Sequence, residues 1–374
     1  MSRPLPRIGW VTNLAAPYRR PIWESLARSA DLHVFLLENR SRFERGRGNR
    51  ASEWMSWDNA PVAVSEVPTV RLTAGERQLY LPRAVGRLPG KGFDALVLTG
   101  WESPAYWTAA ARGRRWGARL IGFYESTLAT HAFRRGPIAS VRKRFLRGLD
   151  AVLAPGPAAK EALLSMGVDA SKIFVGFNPV DVLGIHARAH QARASAAVGD
   201  RRANGHRYLY LGQLIERKNV AGLIEAFARL ADGDSSLTIA GSGHLLESLC
   251  ALCDQLGLRD RVAFVGPVPY ERVPEVLAEH HTLVLPSTEE VWGLVVNEAL
   301  AAGIHAVVTR SCGVAASVEG MRGVFLADPE SASLASAMEA SRRAWTGPVD
   351  QPEILVHTPE AFAQVVLDAV SARR

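Results

Sequence analysis

Cysteine is scarce in this chain, with three residues in 374. That excludes a disulfide framework of the kind that holds small secreted domains together. Cys250 and Cys253 form a single C-x-x-C, and Cys312 stands alone. A structural zinc site needs a second pair, or histidines at matching spacing, and none is nearby. The pair sits among Leu245, Leu246, Leu249, Leu252 and Leu256, a helical apolar spacing that reads as thiols on or beside a core face. Long apolar runs are missing as well, and nothing approaches the roughly 18 residues of a spanning helix. The stretch from Met1 to Arg20 has Asn13 inside its only apolar segment and basic residues directly after it. It reads as a first strand, Ile8 to Thr12, and not as a secretory leader, so a cytoplasmic location is the expectation. Lysine nearly vanishes after the midpoint. Lys218 is the only lysine between residues 181 and 374, beside 16 arginines.

What is present describes an ordinary globular enzyme. The chain is 48% hydrophobic and 22% charged, which excludes global disorder, and its length suits two domains better than one core. The net charge of +7 is unevenly spread. Residues 1–180 hold 27 basic and 14 acidic residues, whereas residues 181–374 hold 17 and 23. A basic half beside an acidic one suggests that the first domain faces something anionic, such as a phosphate-bearing acceptor or an anionic membrane surface. Aromatic residues are not interleaved with the basic ones, so nucleic acid is a poor third. The arginine- and alanine-rich composition points to a GC-rich bacterial source.

Short apolar runs alternate with helical stretches throughout. Ile8–Thr12, Leu32–Leu37, Ala95–Thr99, Leu120–Tyr124 and Ala151–Ala154 read as strands, with helices over Pro21–Ser29, Ala105–Gly117 and Pro137–Gly148. The rhythm restarts at Tyr208–Leu211 and continues through Leu237–Ala240, Val262–Val265, Thr282–Leu285 and Ala306–Val308. This is the pattern of two Rossmann-like domains with parallel sheets facing across a cleft, where small ligands bind. The boundaries read as a first domain over 1–185, a linker over 186–207, a second domain over 208–350, and a C-terminal helix within 351–374 that packs back on the first domain. The linker reading rests on Arg188 to His206, rich in Ala, Arg, His and Gly without apolar period.

Two windows carry chemistry. Pro286-Ser-Thr-Glu-Glu-Val-Trp-Gly-Leu-Val-Val-Asn-Glu298 follows a strand and opens a helix near Gly293. Free N–H groups at such a start attract anions, and a carboxylate accepts two sugar hydroxyls at once. The plainer reading is one capping acid and one solvated acid. Leu211-Gly-Gln-Leu-Ile-Glu-Arg-Lys-Asn219 again places a turn between a strand and a helix. A compact ammonium there suits a diphosphate approached end-on, against the alternative of a chance surface lysine.

The Glu290-x7-Glu298 spacing around Trp-Gly-Leu resembles glycosyltransferase family 4, retaining enzymes of the GT-B fold. So do the Gly-x-Leu…Lys218 turn, Ile239–Gly243, Val265-Gly-Pro-Val268, Asn178-Pro-Val-Asp181 closing the first domain, and Asn13…Pro17-Tyr-Arg-Arg-Pro21. The resemblance implies that Lys218 grips the diphosphate of a nucleoside-diphosphate sugar. It gives Glu298 the ribose hydroxyls and Glu290 the donor-sugar hydroxyls. Gly212 belongs to the first turn, the amides of Gly293, Leu294 and Val295 face phosphate or sugar, and the Val268 backbone meets the base. It further implies front-face displacement without a catalytic metal or cofactor.

The chain departs from the family at Gln213, where an arginine is usual, and Arg217 is the candidate replacement. Asn13-Leu-Ala-Ala16 stands where a glycine pair is common. Tyr124-Glu125-Ser126 stands where a histidine is common, which makes Glu125 and His131 the candidates on the acceptor side. Within the basic stretch 110–149, Ile138, Val141, Phe145 and Leu149 read as one helical face packed on the sheet, or else as a face docked on anionic lipid. The reading is a metal-independent glycosyltransferase acting on a natural-product or lipid-linked envelope acceptor. The rivals are a degenerate partner subunit, a nucleotide-sugar epimerase or hydrolase, and, further off, a glycosidase.

Overall fold

The computed structural model describes residues 4–38, 62–74, 77–131, 133–196, 205–230 and 233–372. The chain divides into two units, residues 1–177 with 359–374, and residues 178–358. In the first unit the strands are β1 (Arg7–Thr12), β2 (Asp31–Leu36), β3 (Ala63–Glu66), β4 (Thr69–Ala74), β5 (Arg77–Pro82), β6 (Ala95–Leu98), β7 (Arg119–Phe123), β8 (Ala151–Pro155) and β9 (Ile173–Gly176). Its helices include α1 (Arg20–Ala27), α2 (Pro104–Arg115), α3 (Pro137–Arg147) and α4 (Gly156–Ser165). Seven strands form a parallel sheet in the order β3-β2-β1-β6-β7-β8-β9, while β4 and β5 pair as an antiparallel hairpin. The central strands β6, β7 and β8 are buried on both faces, and this explains their unbroken apolar runs. Alternation still sorts them. Leu96 and Leu98 enter one core while Ala95 and Val97 enter the other, on the opposite side of the sheet.

The second unit contains α5 (Val182–Ala196), β10 (Arg207–Leu211), α6 (Val220–Ala228), β11 (Ser236–Ala240), α7 (Leu246–Gln255), β12 (Val262–Gly266), α8 (Val273–Ala278), β13 (Thr282–Leu285), α9 (Leu294–Ala301), β14 (His305–Thr309), α10 (Ala315–Val318), β15 (Val324–Ala327) and α11 (Ser331–Ala344). Its parallel sheet runs β12-β11-β10-β13-β14-β15. The chain steps outward from β10 in one direction and then restarts at β13 on the other side. Loops leaving β10 and β13 therefore part at their C-terminal ends, the switch point where doubly wound sheets hold ligands. The last helix, α12 (Pro359–Ser371), belongs to the first unit. There the Ser25 hydroxyl donates to Glu360 (2.9 Å) and Arg119 Nε donates to the Ala369 carbonyl (2.7 Å).

Three expectations need correction. The segment from Arg188, read as the start of a linker, lies inside α5 as far as Ala196, and residues 197–204 of that linker fall outside the described ones. Alanine-rich helices lack the apolar period that flags them, and this one is fastened by polar contacts. His186 Nδ1 lies 2.9 Å from the Ala301 carbonyl, and Arg193 donates to the Ala302 carbonyl (2.6 Å), both at the C-terminal end of α9. Asn178-Pro-Val-Asp181 opens the second unit and does not close the first. In α3 the buried residues are Ala139, Arg142, Phe145 and Leu146, while Ile138 and Val141 are 40% and 46% exposed. The helix is rotated from the apolar face because Arg142, a cation, is taken inside.

Candidate active site

Lys218 and Glu290 arrive from opposite sides of the switch point in the second unit. After β10 the chain runs through Gly212 and Gln213 into a 3-10 turn, Glu216–Lys218, ended by Asn219 in the left-handed region (φ 53°). Asparagine tolerates that conformation. Its Nδ2 donates to the carbonyls of Pro286 (3.1 Å) and Pro329 (2.8 Å). The Thr288 amide donates to the Arg217 carbonyl at 2.9 Å. The loop carrying Lys218 is thereby sewn to the loop carrying Glu290. The second loop is fixed in turn to the loop that follows β14, since the Gly313 amide donates to the Glu290 carbonyl (3.0 Å) and the Val314 amide to the Trp292 carbonyl (3.0 Å).

The Lys218 ammonium donates to Glu290 Oε2, both side chains being 13% exposed. Arg217 Nη1 stands 4.0 Å from the same oxygen and is more open to solvent. Arg217 is thus close enough to add charge beside Lys218, while Gln213 is exposed and its carbonyl is taken by the Tyr210 hydroxyl (2.6 Å). Beyond Glu290, Gly293 (φ 103°) turns the chain into α9, so that Leu294 and Val295 form the first turn of the helix. The ring nitrogen of Trp292 donates to Asn297 Oδ1 (3.3 Å), and Asn297 Nδ2 donates to the Asn178 carbonyl (2.6 Å). Cys312, bridged to Glu290 through the backbone, has its thiol pushed up to about 12 by burial.

Glu298 lies on α9, buried, and burial pushes its carboxyl up to about 8. Its hydrogen-bond partner is the Tyr270 phenol, itself raised by burial and by the carboxyl of Glu298. Tyr270 follows β12 by way of Val268, which is half-buried in the same loop. Sequence reading missed Tyr270, and its place two residues beyond Val268 was the only signal available. Every donor-side candidate therefore sits on the C-terminal edge of this one sheet or in the first turns beyond it.

The acceptor-side candidates lie in the first unit. Glu125 accepts from Arg19 Nη2 at 2.6 Å, and the Arg19 guanidinium is buried 4.1 Å from the Phe123 ring centroid. His131 is buried, not solvated, with Nε2 2.6 Å from the Tyr124 hydroxyl. Burial, then the charges of Arg142 and Arg134, lower its pKa to about 4, so it is neutral at physiological pH. Among the described residues, no group of three or more His, Cys, Asp or Glu is arranged to hold a metal ion.

The protonation of Glu298 yields a prediction. A carboxyl held above its unfolded value favours folding below the ordinary carboxylate range, and that stability is lost as pH rises towards about 8. The loss is on the order of a few kcal/mol, at about 1.4 kcal/mol per pKa unit. Glu298→Gln is expected to raise Tm by several degrees at pH 8.5 and hardly at all at pH 5, in melts of both proteins at both values. A pH-independent difference would contradict the buried, protonated carboxyl.

Two family models match the chain: "Glycosyl transferase 4-like domain" over residues 15–178 and "Glycosyl transferases group 1" over residues 195–341. A glycosyltransferase of Methanocaldococcus jannaschii is 36% identical over 102 residues, 27% of this chain and 26% of that protein. A GDP-mannose-dependent alpha-(1-6)-phosphatidylinositol monomannoside mannosyltransferase of Mycobacterium tuberculosis is 30% identical over 241 residues, 57% of this chain and 59% of that protein. The chain thus spans less than two thirds of the length of these relatives. Among solved structures, Anabaena Alr3699/HepE in complex with UDP superposes with a TM-score of 0.69 at 18% identity, covering 97% of this chain and 94% of that one. Sheet order, switch-point geometry and the two matched models agree, and the chain belongs to glycosyltransferase family 4, with the GT-B fold.

Proposed function

We propose that the protein is a retaining, metal-independent glycosyltransferase that moves a sugar from a nucleoside-diphosphate sugar to an acceptor hydroxyl. The observation that carries the reading is the meeting of Lys218 and Glu290 across the switch point of the second unit, with Glu298 on the helix that follows. In the absence of donor, Lys218 and Glu290 neutralise one another. A diphosphate draws the ammonium to itself and frees the Glu290 carboxylate to accept hydroxyls of the transferred sugar. Arg217 adds a second positive charge in place of the arginine that Gln213 replaces. Glu298, buried beside Tyr270, receives the ribose. The leaving diphosphate takes the acceptor proton on the face it departs from, so the protein's contribution is positioning and charge stabilisation. Glu125 and His131 are assigned to the acceptor side.

The test is release of nucleoside diphosphate from UDP-, GDP- and dTDP-sugars by the purified chain, with and without natural-product or lipid-linked acceptors. Acceptor-dependent release with the anomeric configuration kept supports the reading. Release without acceptor points instead to a hydrolase or epimerase, and no release with any donor to a non-catalytic partner subunit.

The surface of α3 suits peripheral docking on an anionic membrane, whichever acceptor is used. Ile138 and Val141 are exposed beside Lys143 and Arg144, with Phe133 and Arg134 in the preceding loop. Apolar side chains set among cations suit an anionic leaflet. No described helix is long and apolar enough to cross a membrane. Flotation with phosphatidylglycerol vesicles is expected to carry the protein at low salt, and Ile138→Ser with Val141→Ser to reduce the bound fraction about tenfold. Absence of salt-sensitive flotation would remove the membrane from the proposal.

A further inference from the structure

Arg142 is an arginine in the wrong place for a merely structural side chain. It lies in the middle of α3, on the buried side, 5% exposed. One guanidinium nitrogen, Nη2, donates to the Phe133 carbonyl at 2.8 Å, and the group lies 5.6 Å from the Trp101 ring centroid. Its Nε is buried and has no hydrogen-bond partner among the described residues. No carboxylate forms an ion pair with it there either. The other buried arginine of this sheet edge, Arg19, has Glu125 as its counterion. A buried cation with neither counterion nor full hydrogen bonding is costly, and it persists where something else supplies the missing charge.

The surroundings say what that something is. Trp101 follows β6 and Tyr124 follows β7, so Arg142 faces the C-terminal edge of the first sheet. Its charge acts on the Tyr124–His131 pair, two further neutral polar groups close by. Tyr124 and His131 satisfy one another and Nη2 holds the Phe133 carbonyl, so the remaining guanidinium N–H groups are what the site offers to an oxyanion. The excess of basic residues over acidic ones in residues 1–180 raises the local concentration of such ligands.

We infer that Arg142 is the centre of an anion subsite in the first unit that binds the phosphate of a small, phosphorylated acceptor. Burial favours a soluble phosphomonoester over a bilayer headgroup, because a leaflet surface does not reach a side chain below Trp101 and Phe133. That the phosphate belongs to an acceptor rests on the transferase reading, whereas the binding of phosphate at Arg142 does not.

The experiment is thermal melting of the full chain in sodium phosphate against sodium chloride at matched ionic strength. It is done in a Lys218→Ala background, so that the second unit's own anion site contributes little. Phosphate is expected to raise Tm by several degrees over chloride, saturating in the millimolar range. Arg142→Met is expected to weaken that response at least tenfold, and to melt no lower than its parent in chloride, since it removes an uncompensated buried cation. A parent with no phosphate-specific increment, or an Arg142→Met protein that keeps it, overturns the site. Should Arg142→Met not fold, Arg142→Lys decides, because it keeps the charge and loses the fork. About a tenfold weaker phosphate response supports the site, and an unchanged one overturns it. A sugar phosphate is expected to reproduce the effect of inorganic phosphate. Phosphatidylglycerol vesicles that reproduced it in an Arg142-dependent way would overturn the soluble acceptor. A wild-type protein that shows the phosphate increment but binds no nucleoside diphosphate would sink the transferase reading and leave the anion site standing.

Discussion

Lys218→Ala is expected to lower kcat/KM about a hundredfold to a thousandfold, with folding retained. A preorganised cation on a departing diphosphate acts where charge develops, and losing one such contact costs roughly 3–4 kcal/mol of transition-state stabilisation. The geometry adds a second consequence. Glu290 shares its Oε2 with the Lys218 ammonium in a pair that is largely withdrawn from water. Removing only the lysine leaves a carboxylate with Arg217 as its remaining cation, 4.0 Å away and more solvated. A stability loss of about 1–3 kcal/mol follows. Lys218→Ala combined with Glu290→Ala is expected to recover most of that stability and none of the activity. Steady-state kinetics with chemical denaturation of the two single variants and the double variant measures both terms. Additive stabilities would mean that the pair is not coupled, and the reading of an ammonium waiting on its carboxylate would go.

Gly241→Ala is expected to be among the most damaging small substitutions in the second unit. Gly241 follows β11 at φ 150°, and a Cβ placed there would stand 1.7 Å from the Gly212 carbonyl oxygen. The clash is with backbone, so no rotamer relieves it. The same residues tie three loops together, since the Gly241 amide donates to the Gly266 carbonyl (2.8 Å) and the Gly212 amide to the Ala240 carbonyl (3.0 Å). Forcing them apart moves the turn that leads to Lys218 and the strand end that leads to Val268 and Tyr270. A loss of about 4 kcal/mol or more is expected, a fall in Tm on the order of 10 °C, together with loss of nucleotide affinity. Gly257→Ala is the control. Gly257 also has positive φ (67°), but a Cβ there meets nothing within 4 Å. Only backbone strain remains, about 1–2 kcal/mol, and nucleotide binding should be unaffected. Similar losses for the two variants would show that strain, and not the approach of the loops, sets the requirement at Gly241.

The two predictions differ in how much of their basis was legible without coordinates. The importance of Lys218 was visible in composition alone, as one lysine among arginines at a strand-to-helix junction. Its pairing with Glu290, 72 residues away, was not. That contact depends on β10 and β13 lying side by side, and sheet order is a property of the whole unit. Gly241 was visible as part of a short glycine motif, but the reason for the glycine is the Gly212 carbonyl, brought opposite by the pairing of β10 with β11.

Linear order determined the ten strands with apolar runs, because an apolar run of four or five residues bounded by turn residues has few other ways to bury itself. It missed β3, β9 and β15, which are half-buried sheet edges, and the separate hairpin of β4 and β5. It determined the doubly wound class too, through the regular return of helices between those runs, and it placed the donor-side residues in the turns after strands. Tertiary structure decided what repeats in sequence do not encode. It set α5 as a helix despite its missing apolar period, since the carbonyls that hold His186 and Arg193 come from α9. It turned α3 so that Ile138 and Val141 face outward and Arg142 inward. It also set the protonation of Glu298 and His131, whose charges depend on burial and on neighbours from other elements. Local patterns report the local search for burial. Which cation is taken inside, and beside which groups, emerges only when distant segments have packed around it.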